Sequence, residues 1–373
     1  MENQNKTIRI AQILSTAVNG GVESLIMNYY ENIDRSKVQF VFFVESSSKI
    51  INIDRIRSLG GNVIIIPHYS HILKYLKCLE SEFKKNRYDI VQSNLNSLNV
   101  FALFAAKKAQ ISIRISNSLS TSSRNEGLKF FVKEILRKFS KRYATHFFAC
   151  SDVAKDWLFE KNFNNKNYFK IYNAVDFSRF KYNVDKRIYL RNKLFLNDKI
   201  VVGNIGRLED QKNQFFTIEV FSKLYKKNNK YFLLIIGDGS LKKKLMLKVN
   251  ELGIFNSVMF LSDCDVQKYG KTGDFYSAMD LFLLTSIYEG LPMVGIEAQI
   301  SGLTCFFSSS ITTETKISDK VFFISLNDSA EYWCDFIASK EYSNRDLISS
   351  KNYDIVEQAK RLEELYEFIM KGD

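Results

Sequence analysis

A chain of 373 residues with 46% hydrophobic and 25% charged side chains has the composition of a globular protein and the length of about two ordinary domains. Its five cysteines are odd in number, far apart and in no CxxC pair, which argues against a disulfide framework or a zinc site and reads as reduced core residues. The formal charge of +12 fits solvated lysine-rich faces, an anionic membrane or an anionic substrate; nucleic acid is not expected, because zinc-finger spacing and RNP-type aromatic motifs are both missing.

The opening residues MENQNKTIRIAQIL enter a strand pattern without the basic segment and apolar stretch of an export signal. No run of about 18 apolar residues follows to cross a membrane. A cytoplasmic location is expected, at most peripheral on the inner face of the plasma membrane. Strand-like runs at 8–14, 38–44, 62–67, 89–92 and 145–151 alternate with amphipathic stretches such as 22–33, the βαβ rhythm of a parallel sheet covered by helices. After a polar stretch the rhythm restarts at 199–206, 231–239, 258–262, 281–286 and 303–309. The expected fold is therefore α/β, two doubly wound, Rossmann-like domains: 1–175, then a linker at 176–198, then 199–350. An amphipathic helix within 351–373 is free to pack back on the first domain.

Ligands of open parallel sheets sit beyond the carboxyl ends of the strands. The turn after the first strand holds Gly20 and Gly21, whose backbone suits close approach to an anion at a helix start. In the second domain, Arg207 follows one strand and Lys212 lies five positions on, two cations suited to a diphosphate. Residues 286–299, SIYEGLPMVGIEAQ, make another such turn, with Pro292 as an early helical residue. The free amides of Met293 and Val294 then point at the ligand. Glu289 at the turn and Glu297 on the helix each suit a set of sugar hydroxyls. Carboxylates for hydroxyls, with cations and amides for phosphate, describe a nucleotide sugar.

The segments GRLEDQKN, YEGLPMVGIEAQISGL, NGGVE, ACSDVAKDWLF and IYNAVDFSRF resemble the retaining glycosyltransferases of family 4, of the GT-B fold, across nearly the whole chain. The flavour is that of bacterial capsule and exopolysaccharide enzymes. The resemblance implies a GT-B arrangement of two domains facing a cleft and transfer of a hexosyl or N-acetylhexosaminyl group from a UDP-sugar to a lipid-diphosphate-linked glycan. It also implies that no metal or other cofactor is needed. Arg207 and Lys212 would bind the diphosphate, Glu289 with Gly290 and Leu291 the sugar, and Glu297 the ribose, while Gly20 and Gly21 close on the reaction centre. Relatives commonly carry histidines where this chain has Gln92 and Asn117 with Leu119. A front-face displacement, in which the leaving phosphate takes the acceptor proton and Asn117 only hydrogen-bonds the sugar, tolerates that loss. A non-catalytic partner of another transferase, and a nucleotide-sugar epimerase or phosphorylase, are the competing readings.

Residues 128–143 read as a basic amphipathic stretch. Leu128, Phe131, Val132, Ile135, Leu136, Phe139 and Tyr143 are expected to pack on the sheet. Lys129, Lys133, Arg137, Lys141 and Arg142 are left to meet anionic lipid.

Overall fold

The computed structural model describes residues 6–14, 21–46, 53–119, 128–342, 344–346 and 348–372, without the side chains of 128–130. The chain forms two compact units, one of Met1–Val175 with Lys351–Asp373 and one of Asp176–Ser350.

The first unit holds β1 (Ile8–Ile13), β2 (Val38–Glu45), β3 (Asn62–Ile66), β4 (Ile90–Ser93), β5 (Ile113–Ser118), β6 (His146–Ala149) and β7 (Tyr168–Lys170). Their order is β3-β2-β1-β4-β5-β6-β7, every pairing is parallel, and Ile10 lies between Phe40 and Ile90. The second unit holds β8 (Ile200–Ile205), β9 (Tyr231–Ile236), β10 (Val258–Leu261), β11 (Leu281–Leu284), β12 (Thr304–Ser308) and β13 (Val321–Ile324). They are ordered β10-β9-β8-β11-β12-β13 and are again parallel. In each unit the chain winds outward from its first strand and returns to that strand's other side. The reversals between β1 and β4 and between β8 and β11 are where the ends of the strands open a crevice for a ligand.

Helices cover both faces of a parallel sheet, so its central strands are apolar throughout. All six residues of β9 are buried. Phe232, Leu234 and Ile236 enter one core layer, and Tyr231, Leu233 and Ile235 the other, as strand alternation requires.

Three features differ from the sequence reading. Residues 176–198 are part of the second unit rather than a free linker. Helix Val184–Lys193 is tied there by Asp280, which pairs with Arg187 at 2.5 Å and Arg191 at 3.1 Å. Among the cysteines, Cys264 is exposed rather than part of a core. Of the apolar residues in and after helix Leu128–Lys138, Phe131, Val132, Ile135 and, just beyond the helix, Phe139 are 44–65% exposed, whereas Leu136 is partly buried and Tyr143 packs on the core beside Phe104 as expected. Polar ties also hold the stretch inward. Arg137 donates to the Trp157 carbonyl at 2.6 Å, Ser140 donates to that of Leu158 at 3.1 Å, and Lys141 pairs with Glu160 at 2.7 Å. Leu128 and Lys129 lie outside the described side chains.

Helix Ile355–Lys371 belongs to the first unit. Tyr366, fully buried, meets the rings of Phe40 and Phe148 and donates to Gln92 Oε1 at 2.6 Å. Glu363 accepts from Lys37 at 2.6 Å and from the Asp34 amide at 3.2 Å. Tyr366→Ala is expected to destabilise this unit by about 3–5 kcal/mol and Tyr366→Phe by about 1 kcal/mol. Urea unfolding followed by a probe in the first unit checks the ratio, and equal effects would mean that the ring does not fill the core.

Candidate active site

Two turns leave the second sheet side by side because β8 and β11 are neighbours. From β8 the chain passes Gly206, Arg207 and Leu208 into the short turn Asp210–Lys212 and helix Gln214–Lys227. From β11 it passes residues 285–292 into helix Met293–Ile300. The turns are stitched together: the Ile287 amide donates to the Gln211 carbonyl at 2.9 Å, and Thr285 Oγ1 donates to that of Asn213 at 3.0 Å.

At their junction Lys212 Nζ donates to Glu289 Oε1 at 2.5 Å, with side-chain exposures of only 13% and 9%. Ser286 Oγ donates to the same oxygen at 2.7 Å. Gln211 Nε2 donates to Glu289 Oε2 at 3.4 Å and to the Tyr288 carbonyl at 3.0 Å, while Gln211 Oε1 accepts from the exposed Arg207 at 3.3 Å. Arg207, Gln211, Lys212 and Glu289 thus form one chain of hydrogen bonds.

Glycine makes this packing feasible at two points. Gly206, at φ +158°, lies where a Cβ would be 3.3 Å from Lys212 Cε; Gly237, at φ +141°, lies where one would strike the Gly206 carbonyl oxygen at 2.1 Å. The turn after β9 therefore rests directly on the Gly206 turn, joined by Leu208 N to Asp238 O at 2.9 Å and Leu241 N to Leu208 O at 3.0 Å. Beside it, Glu209 accepts from the Ser240 amide and hydroxyl, which hold its carboxyl below the usual range.

Pro292 is the N-cap of helix Met293–Ile300 rather than its first residue, and no side chain caps the helix. The Met293 and Val294 amides precede any intrahelical acceptor. Met293, Val294 and Glu297 are the partly exposed residues of this helix and share one face, whereas its other residues are buried, as are Gly290 and Leu291. Glu297 Oε2 accepts from the Tyr276 hydroxyl at 2.7 Å. The residue is half-buried by surface area, but its carboxyl is shielded enough for desolvation to push it up to about 7, against the lowering pull of Tyr276. Tyr276, on helix Thr272–Ala278, carries no motif that marks it in the sequence. Gln211 and Ser286 lie within the motif segments and Gly237 at the end of the run 231–239, but no local pattern marks their roles.

The first unit's candidates fare differently. Gly20 lies outside the described residues, and Gly21 opens helix Gly21–Asn32. Asn117, expected to bond the donor sugar, is 2% exposed and donates to Asn94 Oδ1 at 2.8 Å. It belongs to a buried amide network: Gln92 also donates to Asn94, which donates to Gln12 at 2.9 Å. Its Oδ1, at the carboxyl end of β5, is left without a hydrogen-bond partner among the described residues. Leu119 is buried and donates its amide to Asn96 at 2.9 Å.

Residues 19–179 match the family model described as Glycosyltransferase Family 4 and residues 185–332 the one described as Glycosyl transferases group 1. The chain belongs to the family 4 glycosyltransferases of the GT-B fold. This glycosyltransferase is 26% identical over 98% of its length to a putative glycosyltransferase, EpsF, of Bacillus subtilis, covering 98% of that chain. It is 22% identical to the UDP-Gal:alpha-D-GlcNAc-diphosphoundecaprenol alpha-1,3-galactosyltransferase of Escherichia coli, over 88% of this chain and 87% of that one. A capsular polysaccharide biosynthesis glycosyltransferase, CapM, of Staphylococcus aureus is 26% identical over 58% and 57%. Among solved structures, Anabaena Alr3699/HepE in complex with UDP and glucose superposes with a TM-score of 0.80 at 17% identity, over 97% of this chain and 100% of that one. The protein is thus a glycosyltransferase related to enzymes of capsular and exopolysaccharide biosynthesis.

The raised carboxyl of Glu297 predicts a pH effect on stability. Between pH 4.5, its ordinary value, and about 7 the folded chain holds a proton that the unfolded chain has lost, so stability falls as pH rises through that window. Glu297→Gln removes this contribution. The variant's Tm minus that of the wild type should grow from pH 4.5 to 7 and then level off in thermal melts without ligand; a flat difference would contradict the shift.

Proposed function

We propose that this glycosyltransferase moves a sugar with retention from a UDP-sugar to a lipid-diphosphate-linked glycan of a surface polysaccharide. The desolvated Lys212–Glu289 pair, with Arg207 hydrogen-bonded into the same network, carries this reading. Cations for a diphosphate stand beside a carboxylate fixed for sugar hydroxyls. The donor and acceptor in the name of the Escherichia coli relative support both choices.

In this mechanism Arg207, Lys212 and the amides of Met293 and Val294 take up the charge that grows on the diphosphate oxygen as the sugar C1–O bond breaks. That oxygen accepts the proton of the acceptor hydroxyl, whose oxygen bonds to C1 on the face the diphosphate leaves. Glu289 orients the sugar, its own position fixed by Lys212, Ser286 and Gln211. Glu297 receives the ribose hydroxyls. Charge neutralisation by these groups makes the reaction independent of metal.

Arg207→Ala and Lys212→Ala should each lower transfer by about 10² or more with the fold intact, and activity should persist in excess EDTA. Sugar transfer and UDP release from a panel of UDP-sugars measure both. Near-normal turnover in the double variant, or loss in EDTA restored by Mg²⁺, would overturn the assignment.

The lipid acceptor also points to a membrane-facing surface. No helix of the described residues is long and apolar enough to cross a membrane, but helix Leu128–Lys138 and the residue after it present Phe131, Val132, Ile135 and Phe139 outward, with exposed Lys138 and Arg142 close by. Apolar side chains flanked by cations suit the interface of an anionic bilayer. The apolar face, rather than the basic face expected from sequence, is therefore the contacting one. Changing Val132, Ile135 and Phe139 to Ser should weaken sedimentation with phosphatidylglycerol-containing vesicles about tenfold or more and spare transfer to a short soluble acceptor. Equal vesicle binding would refute the role of this surface.

A further inference from the structure

Glu297 stands on the partly exposed face of helix Met293–Ile300, and its two oxygens are not equivalent. Oε2 accepts from Tyr276 at 2.7 Å, whereas Oε1 has no hydrogen-bond partner among the described residues. Tyr276 is fully buried, its ring set against Phe180 and Phe282, and its carbonyl accepts from Arg345 at 3.3 and 3.4 Å. The residue is thus held at its backbone and at its hydroxyl. Its hydroxyl has the Val294 carbonyl as a more distant second acceptor, at 3.4 Å.

We propose that Tyr276 is the positioning residue for nucleotide recognition: its hydroxyl occupies Glu297 Oε2, fixes the carboxylate's rotation and turns Oε1 toward the ribose hydroxyls. This rests on the reading of Glu297 as the ribose site.

The electrostatics agree with the geometry. Desolvation disfavours an ionised Glu297, and among the described residues Tyr276 is the titratable group that acts against it. Burial pushes the phenol well above its ordinary range, which keeps its proton available for donation. Cys305 on β12 interacts electrostatically with Tyr276, and Arg345 binds the backbone carbonyl of that residue. A lone neutral donor therefore holds this carboxylate in the form that accepts two hydroxyls.

Tyr276→Phe removes that donor and little else. The Glu297 carboxyl, followed by carbon-13 NMR, should titrate about one unit or more higher in the variant. UDP binding at pH 7.5 should weaken about tenfold, an effect that disappears when Glu297→Gln is already present. Site-specific 3-fluorotyrosine at 276, a stronger donor of nearly the same shape, should move the midpoint the other way and covers the case in which the Phe variant fails to fold. An unchanged midpoint in either variant, while Glu297→Gln still weakens UDP binding, overturns the role of Tyr276 and leaves the ribose site standing. Unchanged UDP affinity in Glu297→Gln overturns the ribose site itself, and the inference with it.

Discussion

Lys212 and Glu289 meet across two turns that are neighbours only because β8 and β11 are, and most of the second unit's site hangs on that contact. A pair so far removed from water gains little net stability, since the desolvation of two ions offsets most of their attraction. Its value is geometric. Glu289 receives Lys212 and Ser286 on one oxygen and Gln211 on the other, so its rotation is fixed before any ligand arrives, and Gln211 passes the constraint on to Arg207. Gly206 and Gly237 are required by the same contact, because a side chain at either would displace the lysine stem or the turn behind it.

The strands most easily read in the sequence are those buried on both faces. Runs such as YFLLII have no other place in a soluble domain, and both sheets follow from counting them. β5 was missed as a strand because its carboxyl half, Ser116 to Ser118, is polar yet fully enclosed. Hydrophobic periodicity has no signal there; the stabilising partners are side-chain amides, as where Asn99 donates to Ser116 and to the Asn117 carbonyl at 3.0 Å. β7, of three residues, is too short to stand out; β13, VFFI, is as long as β10 and β11 and carries the same apolar signal. Helix Leu128–Lys138 failed for the opposite reason: its apolar stripe was plain, but a stripe does not say whether protein or solvent lies opposite.

For the second unit, the charged residues of the site were legible because they occupy turns after recognisable strands. The groups that aim them were not. Tyr276 and Gln211 act through contacts 21 and 78 residues away along the chain, and no local pattern encodes such a partner. In the first unit the partners of Asn117 are hidden from the sequence in the same way. Asn117 occupies the end of a strand, where a ligand contact is expected; its amide nitrogen donates to Asn94 within a network that reaches Tyr366 of the last helix through Gln92, while its Oδ1 has no partner among the described residues. A buried amide network is stable only when most of its members are paired, and satisfying that demand takes Asn117 out of reach of solvent.

The two glutamates of the motif, separated by seven residues, consequently occupy unlike environments. Glu289 lies in a turn with a cation on one oxygen. Glu297, one turn into a helix, has among the described residues only a neutral hydroxyl, and burial lifts its carboxyl to about 7. A fixed cation orients the first carboxylate through charge, whereas the second, balanced against burial by a phenol, sits near its midpoint at neutral pH. Within the proposed mechanism, mild acid should therefore loosen the grip on the ribose, because below about pH 7 the Glu297 carboxyl takes up a proton and loses acceptor capacity.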